Sequence, residues 1–227
     1  GVSATDSRML RAREMAKNLG GVPRMNTFSK LYLALLGLFP WEFVPTIPCE
    51  VLLIGKWFHV NFWDMSNWSR AMLVPLAIIN HFKPTRPLQN NVNLDELYPQ
   101  GFHERDLALP PDPDKISLRN FFLWLDRLHK FAEWFAESGI HPFRKRALKK
   151  CENWMLERFE GSDGLGAIFP AMLNALIALK AMGYVEDHPQ VQRAERELKK
   201  LEHETADSVR IEPCFSQMAR TASSMCT

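Results

Sequence analysis

The side chains of this sequence that could do chemistry are few and scattered. Asp112-Pro-Asp114 places a pair of carboxylates close enough for general acid–base work. The pair lies in a proline-rich stretch and reads as a solvated turn. Asp95-Glu96 reads in the same way. Ser162-Asp163-Gly164 reads as the turn between two paired helices, with Gly164 and Gly166 supplying unusual backbone angles. The seven His residues show no His-x-x-x-His spacing, so no metal site is supported, and neither a Gly-x-Ser-x-Gly elbow nor a phosphate loop occurs. The four cysteines, Cys49, Cys151, Cys214 and Cys226, are widely spaced and form no Cys-x-x-Cys pair. They suggest neither a zinc site nor a disulfide framework, and a reducing compartment is the default. Chemistry alone picks out no catalytic set.

Composition narrows the classes. A chain of 227 residues, 46% hydrophobic and 24% charged, is an ordinary globular composition with room for one large domain or two small ones. Fifteen Phe and seven Trp are more telling. Such rings fill cores, meet a membrane, or line a cavity for an apolar or cationic guest. A net charge of +2 is too small to argue for nucleic acid. The first residues are not expected to be a signal peptide, and no apolar run reaches the roughly 18 residues of a membrane span. The chain begins at Gly1 without a methionine and is expected to be a fragment.

Helical patterns dominate. Arg8 to Leu19 is periodic and stops at Gly20-Gly21. Thr27 is the expected N-cap of an apolar helix from Phe28 to Phe39. Pro40, Pro45 and Pro48 then impose an extended loop, Cys49 to Gly55 suits a short helix, and Lys56 to Ser66 reads as an aromatic loop. Asn67 to Asn80 is apolar with a kink expected at Pro75, and His81 to Pro113 is a polar surface excursion. Ile116 to Ser138, Pro142 to Phe159, Ile168 to Met182 and His188 to Glu204 follow as helices, with an irregular tail from Asp207. The helix from Ile168 is apolar on nearly every side yet too short to span a bilayer, so it is expected to be the inner member of a buried pair. Period-two alternation is almost absent. Outer amphipathic helices alternating with inner apolar ones predict an all-α, α/α barrel or toroid with minor β structure.

Ile116 to Ser138 stands apart. On a helical wheel Phe121, Trp124, Leu125, Leu128, Phe131 and Phe135 share one face, and Arg119, Asp126, His129, Lys130, Glu133 and Glu137 share the other. A core-facing stripe is the plain reading. The aromatic character of the stripe and the basic cluster that follows (Arg144, Lys145, Arg146, Lys149, Lys150) instead fit a helix lying in one membrane leaflet. Each basic residue near such a surface adds about 1 kcal/mol, and each buried aromatic or Leu about 1.5–3 kcal/mol.

Five segments together resemble bacterial squalene–hopene cyclases, the class II triterpene cyclases: Gly21-Val-Pro-Arg-Met-Asn-Thr-Phe28, Ile47-Pro-Cys-Glu50, Asn67-Trp-Ser-Arg-Ala71, His141-Pro-Phe-Arg144 and Gly161-Ser-Asp-Gly-Leu-Gly-Ala-Ile-Phe-Pro-Ala-Met172. The resemblance covers about residues 8 to 216, in order and with compatible spacing. The 154–166 region also resembles a degenerate copy of that family's repeat, with Phe159 and Ala167 near where Gln and Trp would stand. The resemblance implies two α-barrel domains around a large apolar cavity in a monotopic protein that draws squalene from the bilayer, on the cytoplasmic side of the bacterial cell membrane. It implies proton-initiated cyclisation of squalene to hopene or hopanol, with aromatic faces stabilising the growing cation and no metal or organic cofactor. Squalene and membrane lipids are the implied partners, nucleic acid is not one, and a homodimer is compatible. Residue by residue, Trp68, Ile168, Phe169 and Pro170 match cavity-wall positions, and Met65 and Leu73 match the channel constriction. The helix 116–138 matches the membrane-dipping element.

The departures matter as much. The family's acid lies in an Asp-x-Asp-Asp-Thr motif that this chain lacks, so no residue here is assigned as catalytic. After Pro213-Cys-Phe-Ser216 the family continues Pro-Val-Trp-Asp-Thr, whereas this chain reads Gln217-Met-Ala-Arg-Thr221, the kind of divergence that a frameshift near Ser216 produces. The expectation is an incomplete N-terminal barrel over 1–207 and a truncated start of the second, catalytic barrel over 208–227, inactive alone. The alternative is a non-catalytic, membrane-associated lipid-binding or scaffold domain.

Overall fold

The computed structural model describes residues 3, 5–58, 61–88, 92–99, 101, 107, 111–114, 117, 120, 123–127, 130, 143–160, 164–205 and 208–214. They fold as two compact units, one from residues 1–46 and 83–134, the other from 47–82 and 135–227. Helix dominates, as the patterns predict; the β structure among the described residues comprises one short hairpin and isolated bridges.

In the first unit, α1 (Ser7–Asn18) starts where the Asp6 carboxylate accepts the Arg8 N–H at 2.8 Å. It buries none of its own residues, and Arg13 reaches Glu96 at 3.0 Å. Helix α2 (Thr27–Leu35) is capped by Asn26, whose side chain accepts from the Ser29 N–H at 2.8 Å, so the cap sits one residue before the expected Thr27. It ends at Leu35 rather than Phe39. Gly37 takes a left-handed φ of 74°, its N–H bonds the Ala34 carbonyl at 3.0 Å, and the Leu38 N–H bonds the Leu33 carbonyl at 2.8 Å. This double bond pattern closes the last turn and overrides the apolar periodicity that continues beyond it. The core of this unit is Val22, Leu31, Ala34, Phe39, Val44, Tyr98 and Leu107.

In the second unit, Cys49–Leu53 and Phe62–Asp64 are short 3-10 turns. Asn61 holds the latter by accepting from Trp63 N–H at 2.8 Å and Asp64 N–H at 3.1 Å. Ser66 caps α3 (Asn67–Phe82) through the Ser69 N–H at 3.1 Å, and the helix continues past Pro75 to Phe82. Helix α4 (Arg144–Glu160) buries Ala147, Cys151, Trp154, Met155 and Phe159, steps of four, three, one and four that keep one face on the core. Helix α5 (Phe169–Ala181) packs against α3 and has a single exposed position, Lys180, which is the buried helix the sequence predicts. Helix α6 (Pro189–Lys199) begins at His188, whose Nδ1 accepts from the Gln190 N–H at 3.2 Å. It stops at Lys199, short of the expected Glu204. Strand β1 (Glu202–Glu204) pairs instead with β2 (Val209–Ile211), in the register Glu202 to Ile211. The Thr205 N–H bonds the Ser208 carbonyl at 2.8 Å and closes that hairpin, which gives the backbone of 202–204 a partner that a helix would not need.

Candidate functional site

The six residues matched to a cavity wall and channel all fall in the second unit. Met65 precedes α3, Trp68 and Leu73 lie on it, and Ile168, Phe169 and Pro170 begin α5. The turn from Gly164 to Ala167 brings α5 back onto α3. Gly164 and Gly166 have φ of 89° and 68°, as expected, and Ala167 is also left-handed at 51°. At Gly166 a Cβ would stand 2.9 Å from the Ala71 Cβ, so the turn touches α3 one helical turn beyond Trp68. None of the six is fully buried: Trp68 is 66% exposed and the other five are half-buried. The N–H of Phe169 donates to the Pro213 carbonyl at 2.9 Å, and Ile168 bridges Cys214, which fixes the entry of α5 against the chain's last described residues.

The same unit carries an aromatic and cationic group centred on Trp154. Phe62 is fully buried and meets Trp154 edge-on, ring centres 5.5 Å apart. The Arg158 guanidinium stacks 3.8 Å over Trp154 and donates to its carbonyl at 3.1 Å. Burial lowers the Arg158 pKa, with Arg70 nearby adding to the fall against the opposing pull of Glu157. Trp154 and Arg158 are four apart on one helix, a spacing visible in the sequence although the stack was not foreseen.

The other expected chemistry resolves into structure. Asp112 accepts the Asp114 N–H at 3.0 Å, and Asn120 donates to the carbonyls of Asp112 and Asp114, so this acidic pair holds its own turn. Among the described residues no group of three or more His, Cys, Asp or Glu could hold a metal ion. Ser162 and Asp163 lie outside the described residues.

For the 116–138 stretch, positions 120, 123–127 and 130 are helical; Phe121, Leu128, Phe131 and Phe135 lie outside the described residues. The described part presents its faces in the opposite sense to a core-facing stripe. Asp126, on the polar face, accepts the Thr46 N–H at 2.7 Å, pairs with Lys130 at 2.8 Å, and keeps only 16% of its side chain exposed. Trp124 and Leu125, on the apolar face, are 58% and 36% exposed. No helix among the described residues is long and apolar enough to cross a membrane. Of the basic cluster, Arg144 pairs with Glu50 at 3.0 Å, Lys150 donates to the Leu52 carbonyl at 2.8 Å, and Lys149 pairs with Glu152 at 2.9 Å. Lys145 and Arg146 are exposed. Sequence spacing had no signal for Arg144 and Lys150 turning onto the protein, because their partners lie 94 and 98 residues away.

The family model of the squalene-hopene cyclase N-terminal domain matches residues 1–207. The chain belongs to that family. It is 35% identical over 229 aligned residues to a squalene–hopene cyclase of Zymomonas mobilis, covering 98% of this chain and 34% of that protein. It is 32% identical over 221 residues to a dammaradiene synthase of Dryopteris crassirhizoma (97% of this chain, 32% of that one). A squalene–hopene cyclase of Alicyclobacillus acidocaldarius is 32% identical over 190 residues (83% and 28%). The chain thus spans about a third of the length of these curated relatives.

Proposed function

We propose that this chain forms part of a squalene–hopene cyclase that cyclises squalene by protonating its terminal alkene, and that it contributes cavity wall and membrane contact rather than the acid. The family membership across residues 1–207 carries the reading. The wall assignment is supported by the exposed Trp68 on α3 and the half-buried Ile168–Pro170 at the start of α5, elements brought together at the Gly166–Ala71 contact. A growing polycyclic cation gains roughly 0.5–2 kcal/mol from each aromatic face it meets, which suits an accessible Trp68. No Asp-x-Asp-Asp-Thr occurs in the sequence, so the chain alone is inactive. The outward face of Trp124 and Leu125, with Asp126 turned to the protein, supports the membrane contact; its placing at the cytoplasmic side of the bacterial cell membrane follows the family resemblance.

Two measurements test this. Incubation of this chain with squalene yields no cyclised product; hopene in the extract would overturn the assignment of the acid elsewhere. A chimera in which residues 1–207 replace the matching segment of the Zymomonas mobilis protein is expected to convert squalene to hopene. A folded chimera that binds squalene without turning it over would favour the lipid-binding reading instead.

A further inference from the structure

We propose that Cys49 and Cys151 are a dithiol that closes to a reversible intramolecular disulfide, clipping the Cys49–Leu53 turn to helix α4. The sequence separates these cysteines by 102 residues, yet the Cys151 thiol donates to the Cys49 backbone carbonyl at 3.7 Å. Both residues are free thiols and both are buried, at 2% and 0% exposure. Cysteines far apart cannot be bridged without moving the backbone; here the Cys151 thiol already rests on the Cys49 backbone.

The backbone on either side is held. Glu50, next to Cys49, pairs with Arg144 at the start of α4 at 3.0 Å. Lys150, next to Cys151, donates to the Leu52 carbonyl at 2.8 Å and lies 5.3 Å over the Trp63 ring. Polar anchors therefore flank the sulfur pair and keep the turn and the helix in register while the side chains rotate. The hydrogen bond to Cys49, burial and the nearby Glu50 all push the Cys151 thiol up in pKa, against the weaker opposing effect of Lys150. This keeps the Cys151 thiol protonated and slow to react in the closed fold, so exchange proceeds when the short 3-10 turn opens.

The oxidant is a small-molecule disulfide, RSSR. One cysteine, as thiolate, attacks a sulfur of RSSR; that bond breaks and the first RSH leaves with the cysteine's proton. The second cysteine attacks the protein sulfur of the mixed disulfide, the Cys49–Cys151 bond forms, and a second RSH departs. The cysteines lose two electrons and RSSR gains them. The product is a covalent link on the helix that leads into the Gly164–Pro170 turn.

The test uses the full chain carrying C214S and C226S, equilibrated with oxidised glutathione, then denatured, alkylated and mapped by mass spectrometry. The expected result is loss of both alkylatable thiols, a mass about 2 Da below the reduced chain, a linked peptide pair containing Cys49 and Cys151, and reversal by dithiothreitol. Unlinked, fully alkylated cysteines at equilibrium would overturn the proposal, as would glutathione retained on either cysteine or a link between two molecules. The unsubstituted chain, mapped in the same way, gives the same readout if the double variant does not fold.

Discussion

The Lys30 ammonium on α2 donates to the backbone carbonyl of Leu107, 2.9 Å away in space and 77 residues away in the chain. Both residues are fully buried, and the ammonium lies 5.5 Å from the Phe39 ring centre. A cation in such a place is held by one carbonyl and one aromatic face against the cost of leaving water.

That cost gives the first prediction. Burial lowers the Lys30 pKa below its usual 10.5. Between the folded value and the unfolded one the unfolded chain binds more protons, so stability gained from releasing this proton rises with pH. The burden of the charge is therefore full below the folded pKa and lifts as pH approaches 10.5. The stability of the native chain relative to K30M, measured by denaturant unfolding, should increase across the alkaline range. A difference that stays flat with pH would show that Lys30 is not desolvated.

Tyr184 behaves in the opposite sense. Burial, and then its hydrogen bond and proximity to Glu152, push its pKa up to about 12 from the usual 10.0. The neutral phenol is favoured by folding, so its contribution is complete below 10.0 and is lost as pH rises through about 12. Tyrosinate absorbance should reveal a late-titrating tyrosine that ionises earlier in E152Q. An unchanged titration in E152Q would remove Glu152 as a cause.

Gly166 should not tolerate a side chain. Its φ of 68° strains any L-residue, and a Cβ would meet that of Ala71 at 2.9 Å. G166A is expected to cost about 1–3 kcal/mol in denaturant unfolding. Adding A71G removes the contact but leaves the backbone strain and weakens α3, so recovery should be partial at most. Unchanged stability of G166A would mean that the turn does not rest on α3.

Phe62 links the 3-10 turn at 62–64 to α4, with its ring 5.2 Å from Trp63 and 5.5 Å from Trp154. F62A should cost about 3–5 kcal/mol and alter tryptophan fluorescence. A loss below about 1 kcal/mol would mean that the cavity collapses on truncation.

The outward face of the 123–127 helix predicts lipid binding. Liposomes of anionic phospholipid should co-sediment with the chain, and W124S with F131S should weaken this by about a hundredfold or more, since each aromatic contributes roughly 1.5–3 kcal/mol. Binding unaffected by the pair would count against this helix as the contact.

Much of the helical architecture is legible in the sequence because helix is a local decision. The buried positions of α4, from Ala147 to Phe159, recur at the helical period, and the apolar run after Ile168 folds as the enclosed α5. Ends are less legible. Asn26 rather than Thr27 caps α2, and the left-handed Gly37 stops it while apolar residues continue to Phe39. The strand at Glu202–Glu204 escaped for another reason: its charged residues continue the helical pattern of α6, and only the returning Val209–Ile211 segment gives them a ladder.

By itself the sequence determined the family, the helical class, the Gly164–Gly166 turn and the aromatic face of 116–138, all of which rest on residue types at short spacing. Only the tertiary structure decided which way that helix faces, with Asp126 on the protein and Trp124 outward. Only it brought Lys30 to Leu107, Arg144 to Glu50 and Cys151 to Cys49. These contacts join segments 77 to 102 residues apart. Their partners are chosen by packing, where burial makes an unpaired polar group costly and so selects the pairing.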